Sequence, residues 1–102
     1  MSFEYWEYQF EGAFTSPDSL KSTSGIYVIW CENGGNWTVL DVGESANVKE
    51  RVKNHDRADC WEDKCSGTIY YTATYTPKLQ KAERMQIEQR IRTLANPLCG
   101  MH

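Results

Sequence analysis

The sequence has no long apolar run, no internal repeat and no low-complexity tract. A membrane-spanning helix needs roughly 18 to 20 consecutive apolar residues, so that class of protein is excluded. Residues 1–5 are acidic and aromatic, whereas a secretory signal begins with basic and then apolar residues. This start predicts a cytoplasmic protein. A chain of 102 residues is expected to form one domain with one hydrophobic core.

The sequence also lacks an excess of basic charge. Its formal net charge is -3, and residues 1–20 contain four acidic side chains but no Lys or Arg. The remaining residues carry all 11 basic side chains and ten of the 14 acidic ones. A strongly basic nucleic-acid-binding protein is therefore excluded. Because basic residues do cluster around one predicted helix, we expect any binding to nucleic acid to be weak and to fall quickly with salt.

Cysteine is scarce, with only Cys31, Cys60, Cys65 and Cys99. In a cytoplasmic chain these are most simply reduced, partly buried thiols. His55 precedes Cys60 and Cys65 at a spacing that fits no common zinc finger or ribbon. Structural zinc is therefore not expected. A small-molecule or stress-response domain with zinc is the alternative that this cluster would favour.

Four segments have the composition of strands. Residues 25–31 are apolar on both faces, as in a central strand, and residues 33–36 (Asn-Gly-Gly-Asn) suit a hairpin turn. Residues 37–43 form the returning strand, and residues 68–75 are rich in β-branched and aromatic side chains. The aromatic segment 3–14 predicts a further strand at an edge of the sheet.

Two helices are predicted, one before and one after the last core strand in the sequence. The first covers about residues 47–56, where Ser45 or Asn47 can supply the N-cap, and a polar loop follows at residues 59–67. The second covers about residues 78–95. Its core stripe is expected to comprise Ile87, Ile91, Leu94 and Ala95. This order of elements predicts an α+β fold, with a small, mostly antiparallel sheet flanked by helices.

Four short motifs occur in an order that is rare by chance. Residues 25–27 read Gly-Ile-Tyr at the start of a predicted strand, and residues 41–43 read Asp-Val-Gly at the end of the next. Residues 43–55 form a helix-like segment that contains an Arg and ends on a His. Glu88 lies nine positions before Pro97. Together these motifs resemble the GIY-YIG nuclease superfamily, with an Asp in place of the second Tyr.

The resemblance spans about residues 24–100. It implies a single GIY-YIG-like domain over residues 1–102, with the aromatic segment 3–14 as an added edge strand. The sequence differs from the family pattern at Asp41 and near Gly100, where the family commonly has an Asn after the late Pro. These two differences bear on catalysis more than on the fold.

By resemblance, the reaction is metal-dependent hydrolysis of a DNA phosphodiester bond, with one Mg²⁺ or Mn²⁺ ion. The residues that the resemblance implies as catalytic are Tyr27, Arg51, His55 and Glu88. Arg51 offers a charged fork of donors to phosphate oxygens, and Glu88 offers a carboxylate to the metal ion. Tyr27 is the candidate base or water-orienting group, although forming a phenolate at pH 7 costs about 4 kcal/mol for an ordinary phenol. His55 is the stronger candidate base if its imidazole ring faces the same site as the Tyr27 phenol.

Candidate substrate contacts lie on and beside the first predicted helix. They are Ser45, Lys49, Lys53 and Arg57. Asp41 is either an additional metal ligand or a residue at a strand end outside the site. A two-residue turn alone would turn Asp41 away from Tyr27, whereas a longer or bulged loop would place both on one face. The resemblance requires the shared face. Because the core fills most of the chain, we expect low sequence specificity unless a protein partner supplies it.

The alternative is a catalytically impaired module of the same fold that binds nucleic acid or a protein partner. Three features favour this alternative: the Asp at position 41, the absence of the family's Asn near Gly100, and the net negative charge of the chain. Each candidate residue also has an ordinary explanation when it is taken alone. Tyr27 could be a sheet tyrosine, and Glu88 could be the helical partner of Arg84 or Arg92.

Overall fold

The computed structural model describes residues 2–100, so the outermost residues of the predicted domain, 1, 101 and 102, lie outside the described part. The described chain is an α+β fold with five strands, three α-helices and one short 3₁₀ turn. In chain order, the elements are β1 (Ser2–Tyr5), β2 (Tyr8–Phe14), the 3₁₀ turn (Pro17–Ser19), β3 (Gly25–Asn33), β4 (Asn36–Ser45), α1 (Val48–Lys53), α2 (Ala58–Lys64), β5 (Thr68–Tyr75) and α3 (Lys81–Ala95).

The strands form one antiparallel sheet in the order β1-β2-β5-β3-β4. β3 lies between β5 and β4, and residues 25–31 are buried throughout, as expected from side chains that are apolar on both faces. The three predicted core strands are therefore confirmed. The β3–β4 hairpin extends further toward its turn than predicted, to the Asn33–Asn36 pair.

The prediction of one edge strand over residues 3–14 is wrong in detail, because this segment is a hairpin. The chain reverses at Trp6 and Glu7, which both have positive φ (50° and 73°). The reversal stacks Phe3 on Phe10, with ring centroids 5.8 Å apart. β2 pairs with β5, and β1 forms the edge of the sheet.

The first predicted helix is shorter than expected, and the loop after it is partly helical. Asn47 provides the N-cap of α1 through its side-chain oxygen, which accepts from the N–H of Glu50, and α1 ends at Lys53. The predicted loop at residues 59–67 contains most of α2, which buries Trp61 against the sheet. The polar residues around Trp61 lie on the solvent side of this short helix. Their number explains why the sequence of this segment predicts a loop.

The second predicted helix begins later than expected, at Lys81. A reciprocal capping box between Gln80 and Glu83 fixes this start. The predicted core stripe is wrong at Leu94, which is 56% exposed, whereas Arg92 on the same helix is buried. None of the helices in residues 2–100 is long and apolar enough to cross a membrane.

The sheet separates two apolar clusters. The α1 face, covered by α1 and α2, buries Tyr27 together with Ile29, Val48, Val52 and Trp61. The α3 face, covered by α3 and the N-terminal hairpin, buries Phe10, Ile26, Val28, Trp30 and Ile91. Tyr27 of the first cluster also lines a pocket at the edge of the sheet.

The prediction of reduced cysteine thiols is wrong. Two disulfides, Cys31–Cys65 and Cys60–Cys99, join all four cysteines. The second bond ties the segment after α3 to α2, and that segment also runs beside β4. There the N–H of Cys99 donates to the Leu40 carbonyl at 2.7 Å. The end of the described chain is therefore fixed against the edge of the sheet.

Candidate active site

The hairpin between β3 and β4 decides which side chains share the candidate site. Its turn contains only residues 34–35, but one additional residue in β4, Leu40, interrupts the register as a bulge. Beyond the bulge, Tyr27 of β3 lies opposite Gly43 of β4. Asp41 is also in β4, two residues before Gly43. Because strand side chains alternate between faces, Asp41 and Tyr27 lie on the same face. The predicted shared face is confirmed.

A pocket of about 360 Å³ opens at the β4 edge of the α1 face. It brings together Tyr27 from β3, Arg51 from α1 and Glu88 from α3. Arg57, from the connection between α1 and α2, lines it as well. His55 does not line this pocket and lies behind Tyr27, which it contacts through the phenol oxygen. The structure thus brings three of the four residues that the resemblance implies as catalytic to one pocket, whereas the expectation that His55 lies on the same concave surface is wrong.

The absence of a side chain at Gly43 is what allows Tyr27 to take this position. A Cβ atom added at Gly43 would lie 2.1 Å from the Tyr27 hydroxyl oxygen. Any other residue at position 43 would therefore displace the phenol. Burial raises the pKa of Tyr27 to about 12, although the Arg51 guanidinium acts in the opposite direction. The phenol is consequently protonated at neutral pH.

The hydrogen bonds of His55 determine its tautomer. Its Nε2 is 2.7 Å from the Tyr27 hydroxyl oxygen, and its Nδ1 accepts from the backbone N–H of Arg57 at 3.0 Å. Burial, helped by the Arg51 and Arg57 guanidinium groups, lowers the pKa of His55 to about 4, so the ring is neutral near pH 7. A neutral ring that accepts at Nδ1 carries its hydrogen on Nε2. His55 therefore donates to Tyr27, and its contact with Asp56 at 3.3 Å is not an ion pair at that pH.

Asp41 is fully buried, and both of its carboxylate oxygens are engaged. Arg57 donates to them through Nε at 2.7 Å and through Nη2 at 3.1 Å. Trp61 donates its indole N–H at 2.9 Å. Arg92 approaches the same carboxylate at 3.5 Å from the other side. These contacts make Asp41 an anchor for two arginines, and they leave it no place as a metal ligand.

Arg92 connects α3 to the edge of the sheet. It is 7% exposed and donates to the Val42 and Gly100 carbonyls and, through Nε, to Glu88 at 2.9 Å. Gly100 closes over this cluster with positive φ (76°), and an added Cβ there would lie 2.7 Å from the Asp41 carboxylate. Gly100 thus stands where the resemblance expects an Asn near the site.

No match is found among protein-family models, curated proteins or solved structures.

The predicted substrate contacts are not all at the pocket. Among Ser45, Lys49, Lys53 and Arg57, only Arg57 lines it. Lys53 instead forms an exposed ion pair with Asp18 at 2.9 Å. The Ser45 hydroxyl accepts from the Asn47 N–H at 2.9 Å, which places Ser45 in the turn that leads into α1.

Two carboxylates at the pocket have the chemistry of ligands for a divalent ion. Glu88 has one oxygen committed to Arg92, and Glu44 has a buried Oε1 that finds no hydrogen-bond partner among the described residues. The nearest cation to that oxygen is Arg84, at 3.9 Å. Across residues 2–100, no group of three or more His, Cys, Asp or Glu side chains is arranged to hold a metal ion.

Sequence reasoning missed Arg92 and Trp61 as parts of this site. Arg92 reads as a surface residue, because arginines on helices are usually solvated. The available signal was Asp41 itself, since a carboxylate in an otherwise apolar strand implies a cationic partner. Only the tertiary structure identifies the partners as Arg57 and Arg92.

Proposed function

We propose that the chain is a metal-dependent endonuclease of the GIY-YIG type that hydrolyses DNA phosphodiester bonds with low intrinsic sequence specificity. The observation that carries this proposal is the pocket that Tyr27, Arg51 and Glu88 line together, with His55 holding the Tyr27 hydroxyl. A phenol, a guanidinium and a carboxylate on one concave surface provide groups for water, phosphate and metal. The motif resemblance supports the same reaction.

Two guanidinium groups would receive the scissile phosphate. Arg51 forms an exposed ion pair with Asp56 at 3.2 Å and lines the same pocket as Tyr27, so it could contact a substrate phosphate there. Arg57 is fixed by Asp41 and presents its remaining surface to the same pocket. Arginine binds phosphate through parallel N–H donors and keeps its charge at all relevant pH values. Both groups would stabilise the negative charge that grows on the phosphate oxygens in the transition state.

We assign Tyr27 to orienting the attacking water. With the pKa at about 12, forming its phenolate at pH 7 would cost about 7 kcal/mol. The His55 N–H donates to the phenol oxygen, so the Tyr27 hydroxyl hydrogen would be available to a water in the pocket that Tyr27 lines. His55 is then a positioning residue. Its low pKa makes it a weak base, and its hydrogen already faces Tyr27.

The proposed cofactor is a single Mg²⁺ or Mn²⁺ ion, which would be held by Glu88 and by the Glu44 oxygen that has no hydrogen-bond partner among the described residues. Such an ion would act as a Lewis acid that stabilises charge on the leaving oxygen. Both carboxylates line the pocket that contains Arg51. The role of the chain is to place these oxygen donors beside the phosphate-binding arginines.

The proposed partner is nucleic acid, bound weakly and in a salt-sensitive manner, and a protein partner could supply specificity. The formal net charge of -3 supports weak binding. A cytoplasmic location remains a prediction, and the two disulfides count against it because such bonds persist mainly in oxidising compartments.

The alternative function is a catalytically impaired module that binds nucleic acid or a protein partner. The contact that favours it is the ion pair between Glu88 and Arg92 at 2.9 Å, which competes with a metal ion for the same carboxylate. This module would bind through Arg51 and Arg57 without hydrolysis.

The test is nicking of supercoiled plasmid by the purified protein with Mg²⁺, with Mn²⁺ and with EDTA. We expect metal-dependent nicking, and we expect Arg51→Ala to lower its rate by about 10²- to 10³-fold. Arg90→Ala is the matched control, because Arg90 forms only an exposed ion pair with Glu7. Wild-type protein that shifts DNA in a gel but never nicks it would establish the alternative. Nicking that survives Arg51→Ala would place hydrolysis outside this pocket.

A further inference from the structure

A second pocket, of about 440 Å³, lies on the α3 face of the sheet. It is separated from the Tyr27 site by the sheet and opens between the N-terminal hairpin and the β3–β4 hairpin. Its walls include four aromatic rings, those of Phe3, Tyr5, Trp30 and Trp37. Tyr5 and Trp37 are 47% and 50% exposed, which is unusual for rings of this size. We refer to these four residues as the aromatic box.

The rings of the aromatic box are steeply inclined to one another. Tyr5 and Trp30 have centroids 5.4 Å apart and planes inclined by 63°. Trp30 and Trp37 have centroids 6.2 Å apart and planes inclined by 80°. Aromatic rings in contact commonly meet at such angles, and cages of aromatic rings bind compact quaternary ammonium groups. This geometry favours a rounded ligand.

The charges around the aromatic box favour a cation. No Lys or Arg lines the pocket, and the hairpin that forms one wall belongs to residues 1–20, which contain neither. Glu32 lies directly opposite Trp37 in the β3–β4 register, so the two side chains share a face of the sheet. Glu32 accepts from the Gly35 N–H at 2.9 Å but forms no ion pair with any residue of the described chain. Aromatic faces carry negative potential, and this carboxylate adds to it.

The Thr72 hydroxyl, one of the polar groups that line the pocket, is already hydrogen-bonded on both sides. Thr72 donates to the Val28 carbonyl at 2.8 Å and accepts from the Trp30 indole at 3.1 Å. A ligand that needs hydrogen bonds would gain nothing from it. A cation without N–H groups fits better, because it requires only aromatic surface and a nearby anion.

We propose that the aromatic box binds a compact alkylated ammonium ion, with the cation against the rings of Tyr5, Trp30 and Trp37 and near Glu32. This site is independent of the proposed nuclease activity. It would let the protein recognise a quaternary or methylated ammonium group on a small molecule or a side chain.

The test is a calorimetric titration of the whole protein with choline, and in parallel with 3,3-dimethylbutan-1-ol, which has the same shape without the charge. We expect choline to bind at least about tenfold more tightly, since one cation–π contact supplies on the order of 1 kcal/mol and several rings act together. Equal affinity for the two compounds would show a merely apolar groove. No heat from choline at millimolar concentrations, or tighter binding of the flat nucleoside thymidine, would also overturn the proposal.

Two variants locate the site. Trp37→Ala should remove choline binding, and Glu32→Gln should weaken choline binding several-fold while leaving the affinity for the neutral compound unchanged. Leu98→Ala, at another exposed apolar residue, is the control and should leave the choline affinity unchanged. Thermal unfolding of each variant reports whether it is folded. Unchanged choline affinity in folded Trp37→Ala or Glu32→Gln protein would contradict the assignment.

Discussion

Asp41 has a different role in the structure from the roles that the sequence suggests. The sequence presents it as a replaced tyrosine or an additional metal ligand, and the structure makes it the buried partner of Arg57 and Arg92. Its position on the site face was predictable only from the resemblance, because a two-residue turn by itself indicates the opposite face and the bulge in β4 was not specified by the sequence. Its partners were not, because they come from the α1–α2 connection and from α3, far away in the sequence. The Asp at this position therefore holds the arginines around the pocket.

Asp41→Asn should destabilise the protein strongly. The substitution leaves the guanidinium of Arg92 buried with less compensating charge, and breaking a buried ion pair in this way costs about 3–5 kcal/mol. Asp18→Asn, which removes the exposed pair with Lys53, is the control and should change little. Urea unfolding of the three proteins measures the difference. Equal stability of Asp41→Asn and wild type would mean that the ion pairs of Asp41 with Arg57 and Arg92 do not stabilise the fold.

His55 should give the protein a specific pH dependence. Burial lowers the pKa of His55 to about 4 in the folded state, against about 6.5 when unfolded, so the unfolded chain binds more protons between these values. The free energy of unfolding should therefore fall as the pH is lowered from about 6.5 to about 4, by at most about 1.4 kcal/mol per pH unit from this residue. His55→Gln keeps an N–H donor but cannot titrate, so its stability curve should be flatter in that window. Parallel curves for the two proteins would refute the low pKa.

Elements with a strong local sequence pattern were predictable, whereas elements that depend on tertiary contacts were not. β3 and β5 match their predicted ranges closely, because continuous apolar or β-branched runs admit few other structures. α2 was missed, since a seven-residue helix with one buried tryptophan has too little periodicity to be recognised. The reversal at Trp6 was missed because a non-glycine residue gives no signal for positive φ.

The segment after α3 is held by a covalent bond that the sequence did not reveal. The pairing of Cys60 with Cys99 joins it to α2 across a sequence separation of 39 residues. Four cysteines admit three pairings, and the supposed cytoplasmic context argued against any of them. The bond holds Gly100 beside Asp41 and Arg92, and Gly100 and Arg92 line the pocket.

Removing the Cys60–Cys99 bond should loosen this segment. The double variant Cys60→Ala/Cys99→Ala should lose about 2–4 kcal/mol of stability, because the unfolded chain regains freedom and the segment loses its anchor. Its Leu98 and Cys99 backbone amides donate to β4 in the folded protein, so residue 99 should exchange amide hydrogen faster in the variant. Thiol titration of the unreduced wild type should find no free thiol. Four titratable thiols in protein purified under air would contradict the disulfide assignment.

The whole molecule places two different pockets at separate parts of one sheet. The pocket of Tyr27 and Arg51, which includes charged groups, lies at the β4 edge between α1 and α3, and the aromatic box lies on the α3 face. The buried strand β3 contributes Tyr27 to one and Trp30 to the other. The alternation of side chains along a single strand thus supplies both sites and keeps them apart. Substitutions in one pocket are therefore expected to leave ligand binding in the other unchanged.

The plasmid-nicking rate of Tyr27→Phe tests most directly whether Tyr27 lies at the centre of the proposed hydrolytic site. This variant keeps the ring beside Gly43 and removes only the hydroxyl that His55 holds. Tyr75→Phe is the matched control, because Tyr75 also uses its hydroxyl in a hydrogen bond, to the Lys21 N–H, but lies outside the pocket. With the melting temperatures of both variants confirming folded protein, we predict a rate loss of about 10²-fold or more for Tyr27→Phe and none for Tyr75→Phe. Equal nicking rates for wild type and Tyr27→Phe would contradict the proposed site.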